Sequence, residues 1–200
     1  TELPLKLNNG DRIALIGNTL FDRGASFGFF ETWLYQLHPN LDLRVRTLAW
    51  SADEIDLQPR PKNFGDLDQH LTVQKADVIF AAYGFNESFA GEEGLADFET
   101  RLSEFLRHLK SHAYNGQHGP QIVLVSPIAS EHIASLDAAT LNNARLSLYT
   151  GAMQRIAARE GVGFVDVFTP TRQAMADESS DLTFNGVHLL EGGYRVFGEA

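Results

Sequence analysis

The chain has 200 residues, with 26 Asp and Glu against 16 Lys and Arg, a formal net charge of −10, and 44% hydrophobic residues. That supplies a real core and excludes disorder as a description of the whole. The negative balance, with no basic cluster, speaks against nucleic acid or an anionic membrane as partner, and no apolar run approaches the roughly 20 residues of a membrane span. The absence of cysteine rules out disulfides, thiolate nucleophiles and cysteine metal sites. Thr1 stands where an initiator Met is usual, and this leads us to expect a processed or trimmed chain.

Asn9-Gly10-Asp11 marks a turn, and the apolar run 12–17 behind it reads as a buried parallel strand. Phe29, Phe30, Trp33, Leu34 and Leu37 recur at helical spacing within 26–37, closed by Pro39. A more alternating segment, 41–48, predicts a second strand. Residues 50–65 carry prolines and acidic groups and read as a long loop, of the kind that often serves function. A short helix over 66–75, a strand over 76–82 and a turn-rich segment at Tyr83-Gly84-Phe85-Asn86-Glu87 follow. Leu95, Phe98, Leu102, Phe105, Leu106 and Leu109 form one stripe of a helix, with Glu99, Arg101, Glu104 and Arg107 on its wet face. A fourth strand spans 121–126. Asp137 is placed to cap a long helix reaching Glu160, with Leu141, Ala144, Leu148, Ala152 and Ile156 as its apolar stripe and Gly161 at its exit. A fifth strand over 163–167, a short helix over 170–175, a loop, and a last helix over 190–200 complete the chain.

Strands alternating with helices predict a parallel sheet covered on both faces. No linker divides the chain, so one domain over 1–200 suffices. It ends inside a predicted helix, and we expect it to be excised from a longer protein, with other domains as partners. In such a sheet the functional loops gather at the carboxyl ends of the strands. Those ends offer Thr19, Ser51-Ala52-Asp53 and Asn86, and the last loop offers Asn185 and His188. A hydroxyl, an imidazole, side-chain amides and free backbone N–H groups are the inventory for acyl transfer.

Gly17-Asn18-Thr19-Leu20, Ser51-Ala52-Asp53, Gly84-Phe85-Asn86-Glu87 and Asn185-Gly186-Val187-His188 resemble, in order and spacing, the four blocks of the SGNH family of esterases, the GDSL lipolytic enzymes. The variants look closest to a divergent branch found in large multidomain proteins of planctomycetes. The resemblance implies a flavodoxin-like three-layer α/β/α sandwich with a five-stranded parallel sheet. It also implies hydrolysis of a carboxylic ester, such as a carbohydrate O-acetyl group, with no cofactor. By the same token it tilts the compartment toward secreted or periplasmic. Carried over position by position, Thr19 stands where the family has its nucleophilic Ser, and His188 where it has its base. Asn185 replaces the family's acid, and Ala52 replaces a glycine whose N–H serves the oxyanion hole together with Asn86 and Thr19. An alanine can fill that role where the backbone does not need positive φ. Asn18, Glu87 and Asp181 are auxiliary candidates, and Asp22, Arg23 and Asp166 lie within reach of the same rim. Trp50, Phe85 and Phe89 are candidates for a pocket wall.

The departures matter chemically. The methyl group of Thr crowds its hydroxyl and stiffens χ1, and Asn185 offers no negative charge to an imidazolium. Exchanging the orienting Asp for Asn in a serine protease costs about 10⁴ in turnover. A slow esterase is therefore one expectation, and a catalytically impaired binding module on the same fold is the other. A flavin or nucleotide site lacks its Gly-rich fingerprint. The seven histidines show no metal-ligand spacing.

Overall fold

The computed structural model describes residues 5–133, 138–177 and 181–200. Five parallel strands, β1 (Arg12–Gly17), β2 (Arg44–Thr47), β3 (Val78–Ala82), β4 (Gln121–Val125) and β5 (Gly163–Val165), pair in the order β2-β1-β3-β4-β5. Seven helices surround them: α1 (Thr19–Gly24), α2 (Phe29–Leu37), α3 (Leu67–Gln74), α4 (Leu95–Ser111), α5 (Ala139–Glu160), α6 (Phe168–Ala174) and α7 (Glu191–Glu199). The result is the expected α/β/α sandwich.

Strand alternation sorts the core into two layers. Ala14, Ile16, Ile79, Ala81, Ile122 and Leu124 face α3, α4 and α5, where they meet Leu71, Phe98, Leu102, Leu106, Tyr149 and Met153. Ile13, Leu15, Val78, Phe80, Val123 and Val125 face the other way, toward Phe21, Phe30, Tyr194 and Phe197. Both sides of the central strands are buried, which is why they read as continuous apolar runs.

The element ends depart from expectation in specific ways. The second and fifth strands are shorter than 41–48 and 163–167, and the first long helix starts only at Phe29, behind Gly28 at φ 68°. Asp66 caps α3 through a reciprocal capping box with Gln69. Asp137, expected to cap α5, lies outside the described residues. The apolar stripe of α5 is also shifted in its first half: Ala152 and Ile156 are buried as expected, but Leu141 and Leu148 are 56% and 42% exposed, and Leu146, Tyr149 and Met153 are buried instead. Tyr149 explains the rotation, because its hydroxyl donates to Gly91 O at 3.0 Å and its ring packs on Phe98.

The helix α1 has no counterpart in the sequence reading, and it is what positions Thr19. At the end of β1, Gly17 takes φ 113°, and a Cβ there would lie 2.0 Å from Ala82 O. This approach lets Asn18 N donate to Ala82 O at 3.1 Å, while Gly17 O accepts from Trp50 N at 2.9 Å. The Asn18 side chain then accepts from Leu20 N at 3.1 Å and caps α1, with Thr19 as its first residue. Gly17→Ala meets both a forbidden backbone region and a backbone clash. We expect it to lower unfolding stability by at least about 2 kcal/mol, read as a drop in the urea midpoint; an unchanged midpoint would contradict this account of the turn.

Candidate active site

A cavity of about 310 Å³ opens at the carboxyl ends of β1, β3 and β4. Asn18, Thr19, Ala52, Asn86 and His188 all line it, with Phe85, Phe89, Ile128, Leu189 and Tyr194 as apolar walls. Each of the four strand-end blocks thus contributes to one pocket, although Ser51, Asp53, Glu87 and Asn185 are not among its lining residues. Thr19 Oγ1 accepts from Ala52 N at 3.3 Å. Ala52 sits at φ 68°, so the backbone does require the left-handed conformation that alanine tolerates poorly. Asn86 precedes the 3₁₀ turn Glu87–Ala90, spends no side-chain bond on capping it, and lines the cavity. Ser126 also lines the cavity, but its Oγ is committed: it accepts from Val167 N at 2.9 Å and Phe168 N at 3.0 Å and donates to Pro127 O.

His188 arrives on a loop rather than a strand. Asn185 Oδ1 accepts from the backbone N–H of His188 at 3.0 Å and of Val187 at 3.3 Å, which fixes the plane of the amide. His188 Nδ1 then lies 3.0 Å from that oxygen and 2.8 Å from Asn185 Nδ2. The amide can therefore serve either tautomer. With the proton on Nδ1, Oδ1 accepts it and Nε2 is a free base; with Nδ2 donating, the proton sits on Nε2. Phe184 stacks on the imidazole at 5.4 Å, and the Arg23 guanidinium lies over the Phe184 ring at 5.0 Å. Burial, with the Arg23 charge adding to it, holds His188 below the ordinary imidazole range. Among the described residues no hydrogen bond joins Thr19 to His188, and catalytic hydrogen bonds commonly tighten only when substrate binds.

Two buried carboxylates hold the rim. Glu87 accepts from Gly84 N at 2.9 Å and Ile55 N at 3.2 Å, tying the loop after β3 to the loop after β2. Its burial raises its pKa against the pull of those bonds. Glu131, which the sequence reading passed over, accepts from Leu182 N at 2.8 Å, Thr183 N at 2.7 Å and Thr183 Oγ1 at 2.5 Å. Its own N–H donates to Gly186 O at 2.8 Å. Thr183 pairs with Leu189 in an antiparallel bridge, so Glu131 pins both arms of the His188 loop. Only a carboxylate between an apolar strand and a loop, with no motif around it, marked this residue in the sequence.

The remaining candidates go elsewhere. Asp181 is exposed, and among the described residues no hydrogen bond joins it to His188. Asp166 accepts from Thr169 N and Oγ1 at the start of α6 instead of facing the rim. Asp22 accepts from Ser51 N and Oγ. Trp50 lies outside the pocket, in a neighbouring cleft of about 920 Å³, against Phe64 and Arg60. Arg60 in turn pairs with the buried Asp53. That cleft is larger but contains neither Thr19 nor His188, so size does not locate the chemistry.

Replacing Glu131 by Gln puts an amide donor against donors. Amide exchange across 182–189 should accelerate on the order of tenfold or more in deuterium-exchange mass spectrometry; unchanged protection would show that the loop is held by other means. Ala52→Gly should raise stability by roughly 0.5–1 kcal/mol in chemical denaturation. A loss would mean that the left-handed turn is not strained.

Comparison with known proteins agrees with this geometry. The model of the GDSL-like Lipase/Acylhydrolase family matches residues 15–196. No curated protein matches the chain. Among solved structures, a catalytic mutant of an acetylxylan esterase from Geobacillus stearothermophilus, with a serine replaced by alanine, superposes with a TM-score of 0.75 at 19% identity. The match covers 98% of this chain and 94% of that one. An alpha/beta hydrolase enzyme from the metagenome of Lake Arreo, Spain, gives 0.70 at 17% identity, with 96% and 93% covered. A gut microbial diltiazem-metabolizing enzyme gives 0.73 at 18%, with 97% of this chain and 46% of that one covered. With four strand-end blocks gathered on one pocket and a family match over nearly its whole length, this chain belongs to the GDSL-like lipase/acylhydrolase family.

Proposed function

We propose that this protein hydrolyses carboxylic esters, with O-acetyl groups of a carbohydrate as the substrate class, through a Thr-His-Asn variant of the family's site. The single observation that carries the reading is the one cavity lined by Thr19, Ala52, Asn86 and His188. Family membership supports an ester substrate, and the acetylxylan esterase among the structural neighbours supports acetyl as the acyl group. Placement in the divergent planctomycete-like branch rests on the four motif variants alone.

In this mechanism the His188 tautomer protonated on Nδ1 donates to Asn185 Oδ1 and presents Nε2 to the Thr19 hydroxyl. Thr19 Oγ1 attacks the acyl carbon as Nε2 takes its proton. The N–H groups of Thr19 and Ala52 and the Asn86 amide stabilise the oxyanion. The protonated imidazole passes its proton to the leaving alcohol. Water, activated by the same nitrogen, then releases the acid from Thr19. Two features make the reaction slow: the Thr19 methyl group, and an orienting amide without charge. A binding role without turnover is the second reading, favoured by Asn185 Nδ2 lying nearer than Oδ1 to His188 Nδ1.

Hydrolysis of p-nitrophenyl acetate separates the two. We expect slow turnover that disappears in Thr19→Ala and in His188→Ala. Asn185→Asp permits only the productive tautomer and supplies the missing charge, so it should raise kcat by about 10²-fold or more, and further with Thr19→Ser. Equal rates for wild type and Thr19→Ala, with no gain in the double variant, would leave only the binding reading.

The depressed His188 pKa gives a second expectation. The base works only when neutral, so kcat/KM should rise with pH to a plateau, with its midpoint below the ordinary imidazole value of about 6.5. Arg23→Gln removes a neighbouring positive charge and should move that midpoint upward. A midpoint above 6.5, or one indifferent to Arg23, would contradict the electrostatics described.

A further inference from the structure

Away from the Thr19 pocket, α3 and α4 bring together a cluster that no part of the esterase reading uses. His108 lies in the last turn of α4 and His112 caps it, four residues on and therefore on the same face. Asp68, in the first turn of α3, faces them. One coordinating atom from each of Asp68, His108 and His112 lies within 4.8 Å of the other two. The histidines do carry a ligand spacing, contrary to expectation: His108 and His112 supply it, and the carboxylate that completes it comes from another helix.

We propose that Asp68, His108 and His112 bind a divalent transition-metal ion, zinc by preference. Two imidazoles and a carboxylate suit zinc, cobalt or nickel rather than magnesium or calcium. Two of the three ligands, Asp68 and His112, are oriented by a neighbour, as in built metal sites. Tyr114, itself buried, donates its hydroxyl to Asp68 Oδ1 at 2.6 Å and leaves Oδ2 toward the histidines. His112 Nδ1 lies 2.8 Å from His108 O; donating there, it leaves the lone pair on Nε2. The ring of Tyr114 stacks on His112 at 5.6 Å and 14°.

His108 Nε2 lies within hydrogen-bond distance of Asp68 Oδ2, at 2.7 Å. A tetrahedral zinc ion keeps its ligand atoms about 3.3 Å apart, so that pair opens by about 0.6 Å as the ion enters. Three protein ligands leave a fourth position. Asp68 and His108 also line the cleft shared with Trp50, Phe64 and Arg60, which gives water or a ligand access to the ion. The ion would bind α3 to α4, independently of the ester chemistry.

The test is isothermal titration of tag-free protein with zinc chloride at neutral pH, paired with thermal denaturation. We expect one ion per chain and a rise in Tm with zinc concentration. His108→Ala and His112→Ala should each weaken binding at least tenfold and erase the Tm shift. Tyr114→Phe keeps the ring but frees the carboxylate, and should weaken binding by about 10–100-fold. Cobalt in place of zinc should give tetrahedral d–d absorption in the wild type and lose it in His112→Ala. No binding, or binding that both histidine variants leave intact, would overturn the proposal and reduce the cluster to a hydrogen-bonded tie between helices.

Discussion

The end of β1 has no room for a side chain, and the geometry of the pocket follows from that. Because Gly17 can press against Ala82 O, the chain leaves the sheet at once, and Asn18 N continues the bonding to β3 for one more residue. Asn18 then caps a helix whose first residue is Thr19. The same glycine receives Trp50 N on its carbonyl, which draws in the loop after β2 and places Ala52 N 3.3 Å from the Thr19 hydroxyl. Hydroxyl, cap and the backbone N–H of Ala52 are thus set by a single close approach between neighbouring strands.

The other half of the site is held by buried charge. Glu87 and Glu131 are 4% and 6% exposed, and neither pairs with a cation among the described contacts. Each spends its oxygens on loop donors, Glu87 on backbone N–H groups and Glu131 on two backbone N–H groups and the Thr183 hydroxyl. Charge-assisted bonds to backbone are stronger than neutral ones, and a carboxylate can satisfy several donors at once. Glu87 joins the loops after β2 and β3; Glu131 joins the loop after β4 to the one carrying His188. Burial raises the Glu87 pKa while its backbone donors pull it down, so the state of that carboxyl is tied to the loops that surround it.

The alternating order of elements, the strand cores and the strand-end blocks were legible in the sequence because each rests on local pattern: apolar runs, helical stripes, and short motifs in fixed order. What was not legible depends on partners distant in the chain. The stripe of α5 rotated because Tyr149 reaches Gly91, and nothing near residue 149 announces that. Glu131 had no motif, and its value comes from amides more than fifty residues on. The strain at Ala52 was framed in advance as a condition on φ; only the backbone shows that the condition goes against alanine. His108 and His112 looked scattered until α3 supplied Asp68.

The pairing of Thr19 with His188 is the point on which the functional account turns. An activated phosphonate ester mimics the tetrahedral intermediate and bonds irreversibly to a hydroxyl that has a working base beside it. Peptide mass spectrometry after such treatment reads the site directly. The account predicts a single adduct on Thr19 Oγ1, absent from His188→Ala. Unmodified protein, or an adduct on Ser126 or any other hydroxyl, would contradict it.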